Sequence, residues 1–196
     1  MRRFPLVPVV AAAVLLTIAM GCSGASIPSS VSAALDNEVA LASERLSLAE
    51  PIAAWKWHQH LPIEDLPREK AVLERLLGQA DLYHVPREVA QPFFVDQMTA
   101  SKQLQTALYA KWQKTNPPVA PDENTFAQAR LEIDRVSQSM LLALGEGAPA
   151  RQSASCALGL KQALRRWYGK VSLDADHRAA LERALAHGCA SGGPAD

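Results

Sequence analysis

Apolar residues recur at helical spacing along most of the chain. Between Ser30 and Glu50 they fall at Val31, Leu35, Val39 and Leu46, with polar side chains between them. Steps of three, four and seven put such residues on one face of a helix. Pro51 ends or kinks this helix, because it has no N–H and its ring crowds the preceding turn. A second helical stretch covers Ile52 to His58, up to the break at Leu61-Pro62. A third begins near Leu66-Pro67, where a proline in the first turn costs little, and runs to about Leu82. A long helix then spans about Pro86 to Lys114, disturbed at Pro92. Residues 116–121 hold Pro117, Pro118 and Pro121 and form a linker. Further helices are predicted over about Glu123–Leu144, Ser153–Tyr168 and Asp174–His187, with a break at Gly145 to Pro149. There is no internal repeat and no sustained heptad seam. The pattern predicts an all-α, single-domain helical bundle.

The N-terminus changes this picture. Met1-Arg2-Arg3 precedes an uncharged apolar run from Leu6 to Met20, and small residues follow at Gly21 to Ala25. That is the layout of a secretory signal peptide, and the run falls short of the roughly 20 residues needed to span a bilayer. The expected organisation is a signal peptide at 1–25 and one domain at 26–196. That domain divides into a core at 26–115, a Pro-rich linker at 116–122 and C-terminal helices at 123–196. Ser23-Gly24-Ala25 fits cleavage after Ala25. Gly21-Cys22 offers the alternative of a lipoprotein lipidated at Cys22, the one route by which the mature chain would meet a membrane. We expect the soluble form, periplasmic or secreted.

Export bears on the cysteines. Apart from Cys22 only Cys156 and Cys189 remain, and an even pair in an oxidising compartment reads as a disulfide. Two free buried thiols are the alternative. A zinc site through Cys189 with His187 or His177 lacks the usual ligand spacing. A Cys156–Cys189 bridge would tie the last two helices together across the short connection Gly169 to Leu173.

The 196 residues carry 20 Lys and Arg against 20 Asp and Glu, and loss of Arg2 and Arg3 leaves a slight acidic excess. This excludes the basic bias of a nucleic-acid binder. Signatures of serine hydrolases, phosphate-binding loops, dinucleotide folds and zinc proteases are missing. His58 and His60 do not share a helix face and read as surface or boundary residues rather than a metal site. Trp55, Trp57, Trp112 and Trp167 read as packing residues, since no basic stripe accompanies them.

What remains is a spaced polar set. Arg45 and Lys56 are eleven positions apart, about three helical turns and roughly 16 Å along a continuous axis. Two long cationic side chains at that separation leave room for a small anion. Asp65, Arg68 and Glu69 follow at the start of the next helix, and Ser101 and Gln105 lie one turn apart on the long one. Singly, each is a common surface residue. Their order is what distinguishes them: Arg45-x10-Lys56-x8-Asp65-x2-Arg68-Glu69, then Ser101-x3-Gln105.

This order resembles the active-site pattern of the all-helical chorismate mutases. The segments Ala42–Pro51, Ala53–Trp57, Leu61–Asp65 and Asp96–Lys102 are similar to the secreted (gamma) class in particular, which also has a signal peptide and a two-cysteine C-terminal extension. The resemblance implies the Claisen rearrangement of chorismate to prephenate, with no cofactor and no metal. It implies that Lys56 and Gln105 donate to the ether oxygen and that Arg45 holds a carboxylate. Asp65, Arg68 and Glu69 would orient the ring end, with Glu69 on the ring hydroxyl, and Ser101 would help with the ring carboxylate. Arg130 would replace the arginine that a partner chain supplies in short cytosolic members. A homodimer is implied as well. Val72 departs from the pattern, being glutamine in some secreted members. Two other readings stay open: a pyruvate-releasing lyase acting on isochorismate, and a non-catalytic exported helical binding protein.

Overall fold

Eight α-helices and one 3-10 turn make up the computed structural model, which describes residues 27–190, with no strand among them. The expected signal peptide and its Cys22 lie outside the described residues. The order is α1 (Ser29–Ser47), α2 (Ala49–His58), α3 (Leu66–Gln79), the 3-10 turn (Ala80–Tyr83), α4 (Arg87–Trp112), α5 (Glu123–Glu146), α6 (Ala148–Arg151), α7 (Cys156–Tyr168) and α8 (Ala175–Ala184).

The proline and glycine signals act differently from their simplest reading. The first helix breaks at Leu48, upstream of Pro51. Pro51 sits in the first turn of α2, where its missing N–H is no loss, but its ring would crowd the carbonyl four residues back, so α1 stops at Ser47. Leu48 keeps right-handed helical dihedrals, so the interruption is a single residue. Pro92 lies inside α4 without ending it. It removes only the bond to the carbonyl of Glu88, a residue exposed to solvent. α3 stops at Gln79 rather than Leu82, and the chain tightens into the 3-10 turn, closed by His84 in the left-handed region at φ 55°.

Gly145 is a contact point, not a breaker. A Cβ there would lie 2.1 Å from the Tyr83 carbonyl oxygen, so only glycine lets α5 press on the 3-10 turn, and the helix runs on to Glu146. α6 is a four-residue helix that the sequence pattern does not reveal.

α1 packs on α5 and α7, while α4 packs on α8, α2 and α3. Leu35, Phe93, Phe94, Leu104, Met140, Leu160 and Leu181 are fully buried between them. Cys156 and Cys189 are disulfide-bonded, with Cα atoms 5.9 Å apart. The bridge closes α7 and α8 into one covalent loop, yet each packs chiefly against the N-terminal half: α7 on α1, and α8 on α4 and α1. Asp96 of α4 reinforces this, accepting from the His187 backbone N–H at 3.0 Å and pairing with Arg183 at 3.2 Å.

The tryptophans serve packing. Trp57 lies edge-on to Tyr109 and Trp112, and Trp55 stacks on Phe126 with centroids 5.0 Å apart. His58 is half-buried with its Nε2 2.9 Å from the Pro118 carbonyl oxygen, which ties the proline linker to α2, while His60 is exposed.

One buried ion pair lies beneath the disulfide loop. Glu38 and Arg151 approach to 3.9 Å, too far for a hydrogen bond. Arg151 therefore offsets only part of the cost of burying the carboxylate, and burial pushes the Glu38 carboxyl up to about 7. A raised carboxyl favours the folded state fully below its unfolded value of 4.5, and that contribution is lost as pH rises through about 7. The span is worth roughly 3 kcal/mol at most. Thermal unfolding of the oxidised protein is expected to show a melting temperature that falls between pH 5 and 8, with a smaller fall in Glu38→Gln. An equal fall in both proteins would assign the effect elsewhere.

Candidate active site

The candidate residues are delivered by five helices. Arg45 ends α1 and Lys56 lies in the last turn of α2, on the inward faces of the two. Asp65 is the N-cap of α3, and its carboxylate accepts from the Arg68 backbone N–H at 3.2 Å. Such a cap satisfies one of the free donors of a first turn. It also fixes where Arg68 and Glu69 leave the helix. Ser101 and Gln105 are one turn apart on α4, and Arg130 lies on α5 beyond the proline linker.

All eight line one pocket: Arg45, Lys56, Asp65, Arg68, Glu69, Ser101, Gln105 and Arg130. Its volume, open mouth included, is about 620 Å³, within the range of metabolite sites. The apolar walls are Ile52, Ile63, Val72, Met98 and Ile133. Val72 thus presents a hydrocarbon surface to the cavity at the position where the resemblance suggests an amide.

Arg45 is held rigidly. Its Nε donates to Ser137 Oγ at 3.3 Å and its Nη1 to the Gln97 carbonyl at 3.0 Å. Burial pushes its guanidinium down to about 10, so it stays charged at neutral pH. Lys56 is 8% exposed, and its Nζ donates to the Ile63 carbonyl at 2.5 Å. Burial holds the Lys56 ammonium below the ordinary lysine value, with Asp65 opposing that and Arg130 adding to it. Arg130 is likewise lowered, first by burial and then by the like charge of Arg68. Its guanidinium carbon sits 4.2 Å from the centroid of Phe126, which itself stacks on Trp55. This aromatic stack joins α5 to α2 beside Lys56 and gives Arg130 a fixed platform.

Gln105 is buried, and its amide nitrogen donates to Ser101 Oγ at 3.2 Å. Its Oε1 is buried with no hydrogen-bond partner among the described residues.

The electrostatic imbalance is the clearest property of the site. Five cations, counting Lys102, share the pocket with two carboxylates. Among the described residues, Arg45, Lys56, Arg68 and Arg130 form no ion pair. Cations gathered in excess of their counter-charges in a partly apolar cavity are set to receive an anion of more than one negative charge. The spacing argument missed Lys102, Ile52, Ile63, Met98 and Ile133. Lys102 adjoins Ser101, but its acidic partner Glu69 is 33 positions away, beyond any periodicity.

Known proteins resemble this chain in sequence and in fold. The sequence model of type II chorismate mutases matches residues 32–106, a stretch that stops short of Arg130. The secreted chorismate mutase of Mycobacterium tuberculosis is 32% identical over 79% of this chain and 77% of its own length. The crystal structure of a chorismate mutase from Burkholderia thailandensis superposes with a TM-score of 0.76 at 42% identity, covering 80% of this chain and 99% of that one. One from Burkholderia phymatum gives 0.77 at 31% identity, over 82% and 98%.

Proposed function

This chain belongs to the chorismate mutase family, and we infer from that premise that its cationic pocket binds chorismate and rearranges it to prephenate. The observation that supports the pocket as the site is the set of four unpaired cations within it. Chorismate is a dicarboxylate, and arginine grips carboxylates through paired N–H donors.

The reaction is intramolecular. The C–O bond of the enolpyruvyl ether breaks while a C–C bond forms, and no atom enters or leaves. Such a step requires no nucleophile, general base or metal. It requires the enolpyruvyl arm to be folded over the ring, which is an orientation effect. It also requires stabilisation of the negative charge that grows on the ether oxygen, which preorganised donors supply. Lys56 and Gln105 are assigned that donation, Lys56 with a full positive charge. Arg45, anchored by Ser137 and Gln97, holds one carboxylate. Arg68, Asp65 and Ser101 position the ring end, and Glu69 accepts from the ring hydroxyl. Arg130, stacked on Phe126, takes the place of an arginine from a second chain. Ile52, Val72, Met98 and Ile133 keep water from the reacting atoms, which strengthens each polar contact.

Export is supported by relatives named as secreted and by the Cys156–Cys189 disulfide. The periplasm or the medium is the compartment we assign, and a homodimer is the assembly.

The test is incubation of the purified mature chain with chorismate, following loss of its ultraviolet absorbance and formation of prephenate. Gln105 has no proton to gain or lose near neutrality, so kcat is expected to stay level between pH 5 and 8. Release of pyruvate instead of prephenate, or a steep fall in kcat across that range, would contradict the assigned chemistry.

A further inference from the structure

We propose that Lys102 is a positioning residue that holds the Glu69 carboxylate in place and neutralises it at the mouth of the pocket. Its Nζ donates to Glu69 Oε2 at 2.7 Å and to Glu64 Oε1 at 3.3 Å. The other Glu69 oxygen accepts from the Asp65 backbone N–H at 3.2 Å. Glu69 is therefore gripped at both oxygens, by α4 on one side and by the cap of α3 on the other. A carboxylate has about four acceptor positions, so it can still accept a hydrogen bond from a ligand hydroxyl.

The geometry separates Lys102 from the other pocket cations. Lys102 is the one found ion-paired among the described residues. The hydrogen bond with Glu69 also raises its ammonium above the ordinary lysine value, so the pair persists into alkaline solution. An uncompensated Glu69 would repel an approaching dicarboxylate at a separation where charges interact strongly. Lys102 removes that repulsion and leaves the acceptor in place. The Lys102–Glu69 bond is 28% and 24% exposed at its two side chains, whereas Glu64 is 61% exposed, so the contact with Glu64 is the weaker one.

This inference rests on the chorismate mutase reading, and its test separates the two. Wild-type turnover of chorismate establishes the reading before any variant is made. Lys102→Met is then expected to raise KM about tenfold with kcat within about threefold, and Lys102→Arg to recover most of the loss. In a Glu69→Gln background, Lys102→Met should add less than twofold, because no charge remains to compensate. Glu64→Gln should move KM less than twofold. Three results would overturn the proposal in an active wild-type enzyme: an unchanged KM in Lys102→Met, a full tenfold effect of Lys102→Met in the Glu69→Gln background, or a Glu64→Gln variant that matches the loss in Lys102→Met. Unaltered melting temperatures exclude misfolding of these partly exposed sites.

Discussion

Lys56→Ala is expected to lower kcat by about two to three orders of magnitude, the usual cost of removing one donor aimed at a developing oxyanion. Lys56 combines three properties that suit it to this role. It is buried, it carries a full charge, and it is directed by the Ile63 carbonyl. Its ammonium is destabilised by that burial, so a negatively charged transition state has more to gain from it than it would from a solvated lysine. The same destabilisation predicts the control. An unpaired buried cation costs folding energy, so Lys56→Met should hold or raise the melting temperature while losing turnover. A variant with unchanged kcat would remove Lys56 from the mechanism. A variant that fails to fold would show that its role is structural.

The second large effect concerns stability. Joint replacement of Cys156 and Cys189 by serine should cost about 3–4 kcal/mol in the chain-entropy account of a loop this long, and the bridged residues are 33 apart in sequence. For a chain of this size that corresponds to roughly 10 °C in melting temperature. None of the eight candidate residues lies on α7 or α8, but the two helices brace α1 and α4, which carry Arg45, Ser101 and Gln105. The serine variant should therefore keep its turnover at 25 °C and lose it at a lower temperature than the oxidised protein. Differential scanning calorimetry beside a temperature series of initial rates checks both parts.

Helical periodicity made most of the fold readable in the sequence, because each helix buries one face. Val31, Leu35, Val39 and Leu46 are buried along α1 as their spacing requires. The misreadings fall at proline and glycine, whose meaning depends on what lies opposite. Gly145 read as a helix breaker because nothing local shows that the Tyr83 carbonyl presses against it. Pro51 marks a break, but the break falls three residues upstream, where its ring acts. In the candidate site, the polar residues were readable because their order along successive helices is constrained. Lys102 and the apolar walls were not. An ion pair between α3 and α4 leaves no periodic trace, and Ile52, Met98 and Ile133 look like any core residue. Phe126 went unnoticed for the same reason, since its role under Arg130 depends on how α5 returns past the proline linker.

The surplus of positive charge in the pocket acts on product as well as on substrate. An isomerisation that only moves an enolpyruvyl group leaves both carboxylates on the molecule. Arg45, Arg68 and Arg130 would meet the same two charges after the bond changes as before. Charge therefore supplies capture but no preference for the forward direction, and discharge of the product falls to the change in molecular shape. Prephenate should compete with chorismate for the free enzyme. Salt, by screening the arginines, should weaken entry and hasten departure together.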